Sequence, residues 1–350
     1  MQDAASVFED EDHEDEYEED EEDGEDDEEE EEDRSGQRRP PPRGFGKVQP
    51  RNHAVEAEEI LPWKGLGSFA RATQRSLAAT LDKLRGSGKE RMTILVVGKG
   101  GVGKTSLINT LLGEKARPTS AFQASQSVES VLVSRKASQP DFRISYIDTP
   151  GLLDGDSVNE NALSHLAEFL SDKSVDAILY VDRVDTYRVT ACDRQIMLRL
   201  ANTLGPQIWS ITMLVLTHGH ITLGPPDGLN YRKFTAQRAE QLRNAIREVA
   251  GPSQSSVSLP VTVVENKRAC PTNSMSEAIL PDGTIFVPQL LNKLADLAIQ
   301  GKSLEHDALD IAFDVYSRKR RRWVIPIFLF NAFLLRPLLI KQIRKDPDYN

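Results

Sequence analysis

An α/β fold, with a mostly parallel sheet flanked by helices, is predicted for this chain by three observations. Short apolar, β-branched runs alternate with segments of helical periodicity, as parallel strands joined by crossover helices require. The first clear strand, residues 93–97, runs into a glycine-rich loop, Gly98-x-x-x-x-Gly103-Lys104-Thr105, which opens a helix. A later apolar strand ends in Asp148-Thr-Pro-Gly151.

The first 33 residues hold 23 of the chain's 54 Asp and Glu and none of its 43 Lys and Arg. Such a run repels itself and has no apolar surface to bury, so residues 1–50, with the stiff Arg38-Arg-Pro-Pro-Pro-Arg43 stretch, read as a disordered acidic tail and linker. The remaining 317 residues are basic on balance. Residues 51–316 are assigned to one nucleotide-binding domain, and residues 317–350 to a basic flank, a membrane span and a short tail. Two cysteines, Cys192 and Cys270, supply neither a disulfide framework nor a metal spacing. The acidic N-terminus lacks the apolar stretch of a signal peptide.

The elements follow in order. Residues 63–84 repeat Leu66, Phe69, Ala70, Thr73, Leu77, Leu81 and Leu84 at steps of three and four, which predicts an amphipathic helix ended by Gly86-Ser-Gly88. Strand 93–97 and helix 105–112 frame the glycine-rich loop. Residues 127–134 and 142–147 read as neighbouring strands, with residues 135–141 as their turn. Helices are expected at 160–170, 194–204, 233–249 and 287–297. Strands are expected at 177–181, 212–216 and 261–264. No internal repeat is found.

Residues 323–335 are uncharged, and residues 336–340 extend them with one arginine. Eighteen helical residues reach ~27 Å, close to the ~30 Å hydrocarbon core. Arg318 to Arg322 precede the run, and by the positive-inside tendency they keep the N-terminal bulk cytosolic. That predicts a single C-terminal span, a tail anchor; a buried or interfacial helix is the alternative.

The glycine-rich loop is a P-loop. Backbone amides of Gly98, Gly100, Gly101, Val102, Gly103, Lys104, Thr105 and Ser106 can cradle phosphate oxygens at a helix N-terminus. Lys104 would reach the β- and γ-phosphates, and Thr105 would ligate Mg²⁺. Asp148 would hold the same ion, and the Gly151 amide would sense the γ-phosphate. Gln123 and Ser125 are candidate contacts in a first switch, Ser125 also as a metal ligand. Lys99 adds an ambiguity, because a lysine early in the loop also marks a class of dimeric, MinD-like ATPases.

The base must be read at the carboxyl edge of the sheet. No Asn-Lys-x-Asp element is present. Thr217-His-Gly-His220 follows one strand, and the His218 ring can stack on a purine. Glu265-Asn266 follows the next. A carboxylate there accepts from guanine N1 and N2, a donor pair adenine lacks, so Glu265 favours GTP. Leu152 and Leu153 follow Gly151 where small GTPases commonly place a water-orienting glutamine. Hydrolysis is therefore expected to be slow or completed from elsewhere. Arg183 and Arg188, just past a strand, are candidates for catalysis across an interface; surface ion pairs with Asp182 and Asp185 are the plainer reading.

With these residues placed, the chain resembles the receptor GTPases of the translocon at the outer chloroplast envelope, in particular the smaller, tail-anchored ones. The resemblance is carried by Leu95 to Thr105, Ile147 to Leu152, Tyr180-Val-Asp-Arg-Val-Asp-Thr-Tyr-Arg188, Leu216-Thr-His218, Pro225 to Leu229, Val264 to Asn266 and Val324 to Ile327. It implies GTP at Gly100 to Ser106, with His218, Glu265 and Asn266 at the guanine. It implies Mg²⁺, slow hydrolysis to GDP, and Arg188 facing a partner's nucleotide in a homodimer or a heterodimer with a larger receptor. It further implies capture of precursor transit peptides, delivery to a β-barrel channel, a plastid outer-envelope location with the GTPase domain in the cytosol, and no nucleic-acid partner. Thr105 in place of a serine, His220 in place of a glutamine, an altered length at 123–128 and a long acidic tail depart from the pattern. A septin-like scaffold GTPase is a further alternative.

Overall fold

A computed structural model describes residues 60–119, 129–154, 157–221, 228–251, 257–267 and 269–305. Seven strands form the main sheet: β1 (Leu61–Pro62), β2 (Arg91–Val97), β3 (Val131–Ser138), β4 (Asp141–Asp148), β7 (Ala177–Arg183), β8 (Thr212–Thr217) and β9 (Val261–Val263). A separate two-stranded pair joins β5 (Leu153–Asp154) to β6 (Ser157–Val158). The main sheet runs β1-β3-β4-β2-β7-β8-β9. All its neighbours are parallel except β3 and β4. The mostly parallel α/β architecture is thus as the sequence predicts.

Alternation along the central strands buries both faces of the sheet. Ile94 and Val96 of β2 point into one core, and Leu95 and Val97 into the other. Helices α1 (Arg71–Gly86), α2 (Lys104–Leu112) and α6 (Phe286–Gln300) cover the first face. Helices α3 (Glu160–Leu170), α4 (Ala191–Leu204) and α5 (Tyr231–Ala250) cover the second. Leu77, Leu81 and Leu84 of α1 are buried, each contributing about 1.5–3 kcal/mol. Polar contacts fix α1 on its neighbours: Thr80 donates to Asn292 of α6 at 3.0 Å, and Thr73 donates to Glu277 at 2.9 Å.

Three local expectations are corrected. Residues 63–84 are not one helix: a 3-10 turn (Lys64–Ser68) precedes α1, with Phe69 extended between them. Tertiary contacts override the periodicity. The Trp63 indole donates to Leu112 O at 2.8 Å, and the Gly65 amide donates to Glu114 at 2.8 Å, seating this segment on the end of α2. The turn expected at residues 135–141 is also shorter. Strand β3 runs to Ser138, leaving Gln139 and Pro140 between β3 and β4. Arg135 and Lys136 look like turn residues, but Arg135 is a buried strand residue paired with Glu114, and Lys136 points outward on the same strand. The helix expected from residue 194 begins three residues earlier, because Thr190 and Asp193 form a reciprocal cap at its start.

The acidic tail and the expected membrane span lie outside the described residues, as do the domain boundaries at 50/51 and 316/317. Among the described residues no helix is long and apolar enough to cross a membrane.

Candidate functional site

Five segments converge at the carboxyl edge of the sheet, where open α/β sheets bind ligands. The loop after β2 leads into α2, and Gly98, Gly101 and Gly103 all take positive φ. Gly98 is irreplaceable on two grounds. Its φ is 149°, and a Cβ there would sit 2.3 Å from Val181 O on β7. Gly151, after β4, packs on the same loop: a Cβ on it would lie 2.9 Å from the Gly100 Cα. The Asp148-to-Gly151 turn and the P-loop therefore touch backbone to backbone, so a change at one is felt at the other.

Lys104 is buried and donates to Gly98 O at 3.0 Å and Lys99 O at 2.7 Å. Burial lowers its pKa from 10.5 to about 8, against the opposing attraction of Asp148. The Thr105 hydroxyl donates to Asp148 Oδ2 at 2.8 Å, and the Arg117 guanidinium stands 3.7 Å from that oxygen. Burial pushes the Asp148 carboxyl up, against Thr105, Arg117 and Lys104, which pull it down. Asp148 Oδ1 is buried and makes no hydrogen bond among the described residues. A hydroxyl and a carboxylate with a spare buried oxygen suit a hard cation such as Mg²⁺. Among the described residues no group of three or more His, Cys, Asp or Glu could hold a metal alone. That fits an ion completed by substrate phosphates and water.

The side expected to read the base is built by the segments after β8 and β9. Thr217 closes β8, and its hydroxyl donates to Val102 O at 2.7 Å, tying this edge to the P-loop. His218 follows with a positive φ of 59°, a conformation that costs on the order of 1 kcal/mol outside glycine. Its Nδ1 lies 2.9 Å from the Thr217 hydroxyl. Burial and the nearby Arg183 lower the imidazole pKa, which favours a neutral ring. Glu265 is buried, and its oxygens accept from the His220 and Lys267 amides, each at 2.9 Å. The carboxylate thus stitches the loops after β8 and β9 together while keeping further lone pairs. Asn266 donates to Gly103 O at 3.3 Å, and its Oδ1 is buried without a hydrogen-bond partner among the described residues.

Arg183 closes β7, and Arg188 lies five residues further along the chain. Arg183 forms a two-pronged pair with Asp185 of its own chain, at 2.9 and 2.7 Å. The plainer reading therefore describes its side chain in this structure. Arg188 is exposed beside Tyr187, whose ring meets Phe234 edge-on at 5.8 Å. Leu152 is buried in the core, so no polar side chain occupies the place of the missing glutamine. Gln123 and Ser125 lie outside the described residues. A cavity of about 410 Å³ opens between the P-loop and the segment after β7, lined by Lys99, Gly100, Gly101, Leu153, Arg183 and Thr186 among others.

Lys99 is not presented outward as a dimeric ATPase would use it. Its ammonium pairs with Asp193 at 2.7 Å and stands 3.7 Å from Asp182, both buried carboxylates of its own chain. Asp182 also takes the buried Arg238 at 2.6 Å. These partners, and the Arg117 and Thr217 contacts, were not found from the sequence. Among these contacts only the Thr190-x-x-Asp193 spacing carries a local signal, that of a helix cap, and the helix expected from residue 194 does not use it.

The AIG1 family matches residues 92–252. The chain is 38% identical over 293 residues to "Translocase of chloroplast 34, chloroplastic" of Arabidopsis thaliana, covering 83% of this chain and 92% of that protein. It is similar in structure to Toc33 from Arabidopsis thaliana in complex with GDP and Mg²⁺, with a TM-score of 0.65 and 38% identity over 69% of this chain and 99% of that one. A structure described by the statement that dimerization is important for the GTPase activity of the chloroplast translocon components atToc33 and psToc159 matches with a TM-score of 0.67 and 36% identity, over 71% of this chain and 99% of that one.

Proposed function

This chain belongs to the small chloroplast-translocase GTPases, and from that premise we propose that it is a GTP-regulated receptor for precursor proteins at the plastid outer envelope. It binds GTP and GDP with Mg²⁺ and hydrolyses GTP to GDP and phosphate. The observation that carries this reading is the junction at Gly103. There the P-loop meets Asn266 from the base side, while the Thr105 hydroxyl two residues on meets Asp148 from the switch.

The roles follow from the geometry. P-loop amides from Gly98 to Ser106 hold the phosphates, and Lys104 moves from its two carbonyl acceptors to the β- and γ-oxygens. Thr105 and Asp148 hold Mg²⁺, which neutralises phosphate charge when bound. Gly151, in contact with Gly100, reports the γ-phosphate to the chain that follows it. His218 stacks on the guanine, with Glu265 and Asn266 at its edge. Buried Leu152 orients no water, so turnover is slow unless a partner supplies the missing group. Arg188, exposed on the segment after β7, is that group, facing the nucleotide of a second copy or of a larger receptor GTPase.

Precursor transit peptides, which are basic, are the cargo, and a β-barrel channel receives them. The polyanionic tail, residues 1–33, recruits or competes with them by charge. The domain arrangement is tail and linker at 1–50, GTPase domain at 51–316 and membrane anchor at 317–350, with the GTPase domain facing the cytosol.

The test is precursor binding to the full chain loaded with a non-hydrolysable GTP analogue or with GDP, at low salt, with and without residues 1–33. Tighter binding in one nucleotide state and a salt-sensitive change on deletion are expected. Equal binding in both nucleotide states would overturn the receptor reading; an unchanged affinity on deletion would remove the tail from it.

A further inference from the structure

The Lys99 side chain has no part in the nucleotide chemistry above, yet it has specific buried partners. The segment 184–190, which carries Tyr187 and Arg188, is bounded by the two carboxylates that Lys99 contacts. At its start, Asp182 Oδ1 accepts from the Arg183 amide at 2.9 Å, and the Val184 amide donates to Thr217 O at 3.0 Å. At its end, Asp193 Oδ2 accepts from the Thr190 amide at 2.7 Å and the Thr190 hydroxyl at 2.9 Å. The Lys99 ammonium stands 2.7 Å from Asp193 Oδ1 and 3.7 Å from Asp182 Oδ1.

We propose that Lys99 is a positioning residue: a P-loop cation that bridges both ends of segment 184–190 and so sets where Arg188 is presented to a partner. The backbone of the same residue is engaged as well. Lys99 O accepts from Lys104, the lysine whose bonds the phosphates replace. Nucleotide arrival therefore frees the Lys99 carbonyl while its side chain still holds the Arg188 segment. This gives a route, through the hydrogen bond and ion pairs of a single residue, from the phosphate site to the segment that carries Arg188. The Asp182–Arg238 pair, 2.6 Å apart and buried, fixes the other side of the arrangement to α5. With one lysine, one arginine and two aspartates the cluster is charge-balanced, which is what allows its burial.

The inference rests on the role of Arg188 in dimerisation, so two measurements separate the claims. Hydrogen exchange of segment 184–190 in the full chain reads the bridge itself. In Lys99→Met, amide protection there is expected to fall about tenfold or more, with Lys99→Arg restoring it by keeping the charge. Since Lys99→Met strands a buried carboxylate and can fail to fold, Lys99→Met combined with Asp193→Asn serves as the second variant. It removes both charges and keeps an oxygen for the Thr190 cap. Dimer affinity then reads the consequence. Lys99→Met and Arg188→Ala each weaken it, and the double variant is no weaker than Arg188→Ala alone, since both act through one group. Wild-type protection of 184–190 in both Lys99 variants would overturn the proposal. So would losses that simply add in the double variant. Loss of protection with Arg188→Ala dimerising normally would refute the Arg188 reading alone.

Discussion

Lys104 gives the sharpest quantitative consequence of the site. In the free protein its ammonium is buried against two carbonyls, and its pKa falls to about 8. Bound phosphates restore the charge, so a neutral Lys104 must take up a proton on binding. Affinity therefore falls as pH rises through about 8, the direction fixed by free lysine having lost protons that the complex holds. With that pKa, roughly a tenth of the lysines are neutral at pH 7 and about three quarters at pH 8.5. The expected weakening over this interval is about fourfold, or about 0.8 kcal/mol. Calorimetric titration of GDP in buffers of different ionisation heat should register about three quarters of a proton taken up at pH 8.5. Chelator in the buffer keeps Mg²⁺ and Asp148 out of the measurement. Flat affinity between pH 7 and 8.5 with no proton uptake would refute the burial argument. The same depressed pKa has a sign for stability. The unfolded chain holds the proton more tightly, so burial of the charge costs stability below pH 8, and this cost is relieved as pH rises through 8 towards 10.5.

Three substitutions probe the rest of the site. Gly98→Ala drives a Cβ to 2.3 Å from Val181 O, so the P-loop must shift off β7; GDP binding should be lost and the melting temperature lowered, as fluorescence titration and calorimetry would read. Glu265→Gln leaves one of the His220 and Lys267 amides facing a donor. Discrimination of GTP over ATP in a displacement assay should drop by about 10- to 100-fold, matching the ~1–3 kcal/mol cost of an unmet buried group. Arg188→Ala removes an exposed side chain and should change stability by less than about 0.5 kcal/mol. Sedimentation should nonetheless show a weaker dimer, and an unchanged dimer affinity and GTPase rate would make Arg188 ordinary surface.

Legibility in the sequence tracked the range of the interaction. Strand β2 and helix α2 declare themselves through apolar runs and glycine spacing, both local patterns, and the P-loop between them was readable residue by residue. The segments after β8 and β9 were legible as positions at the sheet's edge because they follow apolar strands. What escaped depends on partners distant in the chain. The break before α1 comes from Trp63 and Gly65 meeting Leu112 and Glu114, 49 residues away. The charged strand residues Arg135 and Lys136 mimic a turn until Glu114 is seen to neutralise one of them. Lys99 in the sequence is an ambiguous lysine; only its meeting with Asp193 and Asp182 shows that it serves its own chain. Glu265 is expected from the sequence at the base edge, and the task that the structure shows for it, pinning the His220 and Lys267 amides, has no sequence signature.

The central claim is that the site at the sheet's edge is built for a guanine nucleotide, and competition between nucleotides tests it most directly. Full-length protein carrying a fluorescent GDP analogue with Mg²⁺ is titrated with GTP and, separately, with ATP. GTP should displace the probe at concentrations at least about a hundredfold lower, because adenine leaves Glu265 and Asn266 without donors. Displacement by ATP at equal or lower concentration would contradict the account.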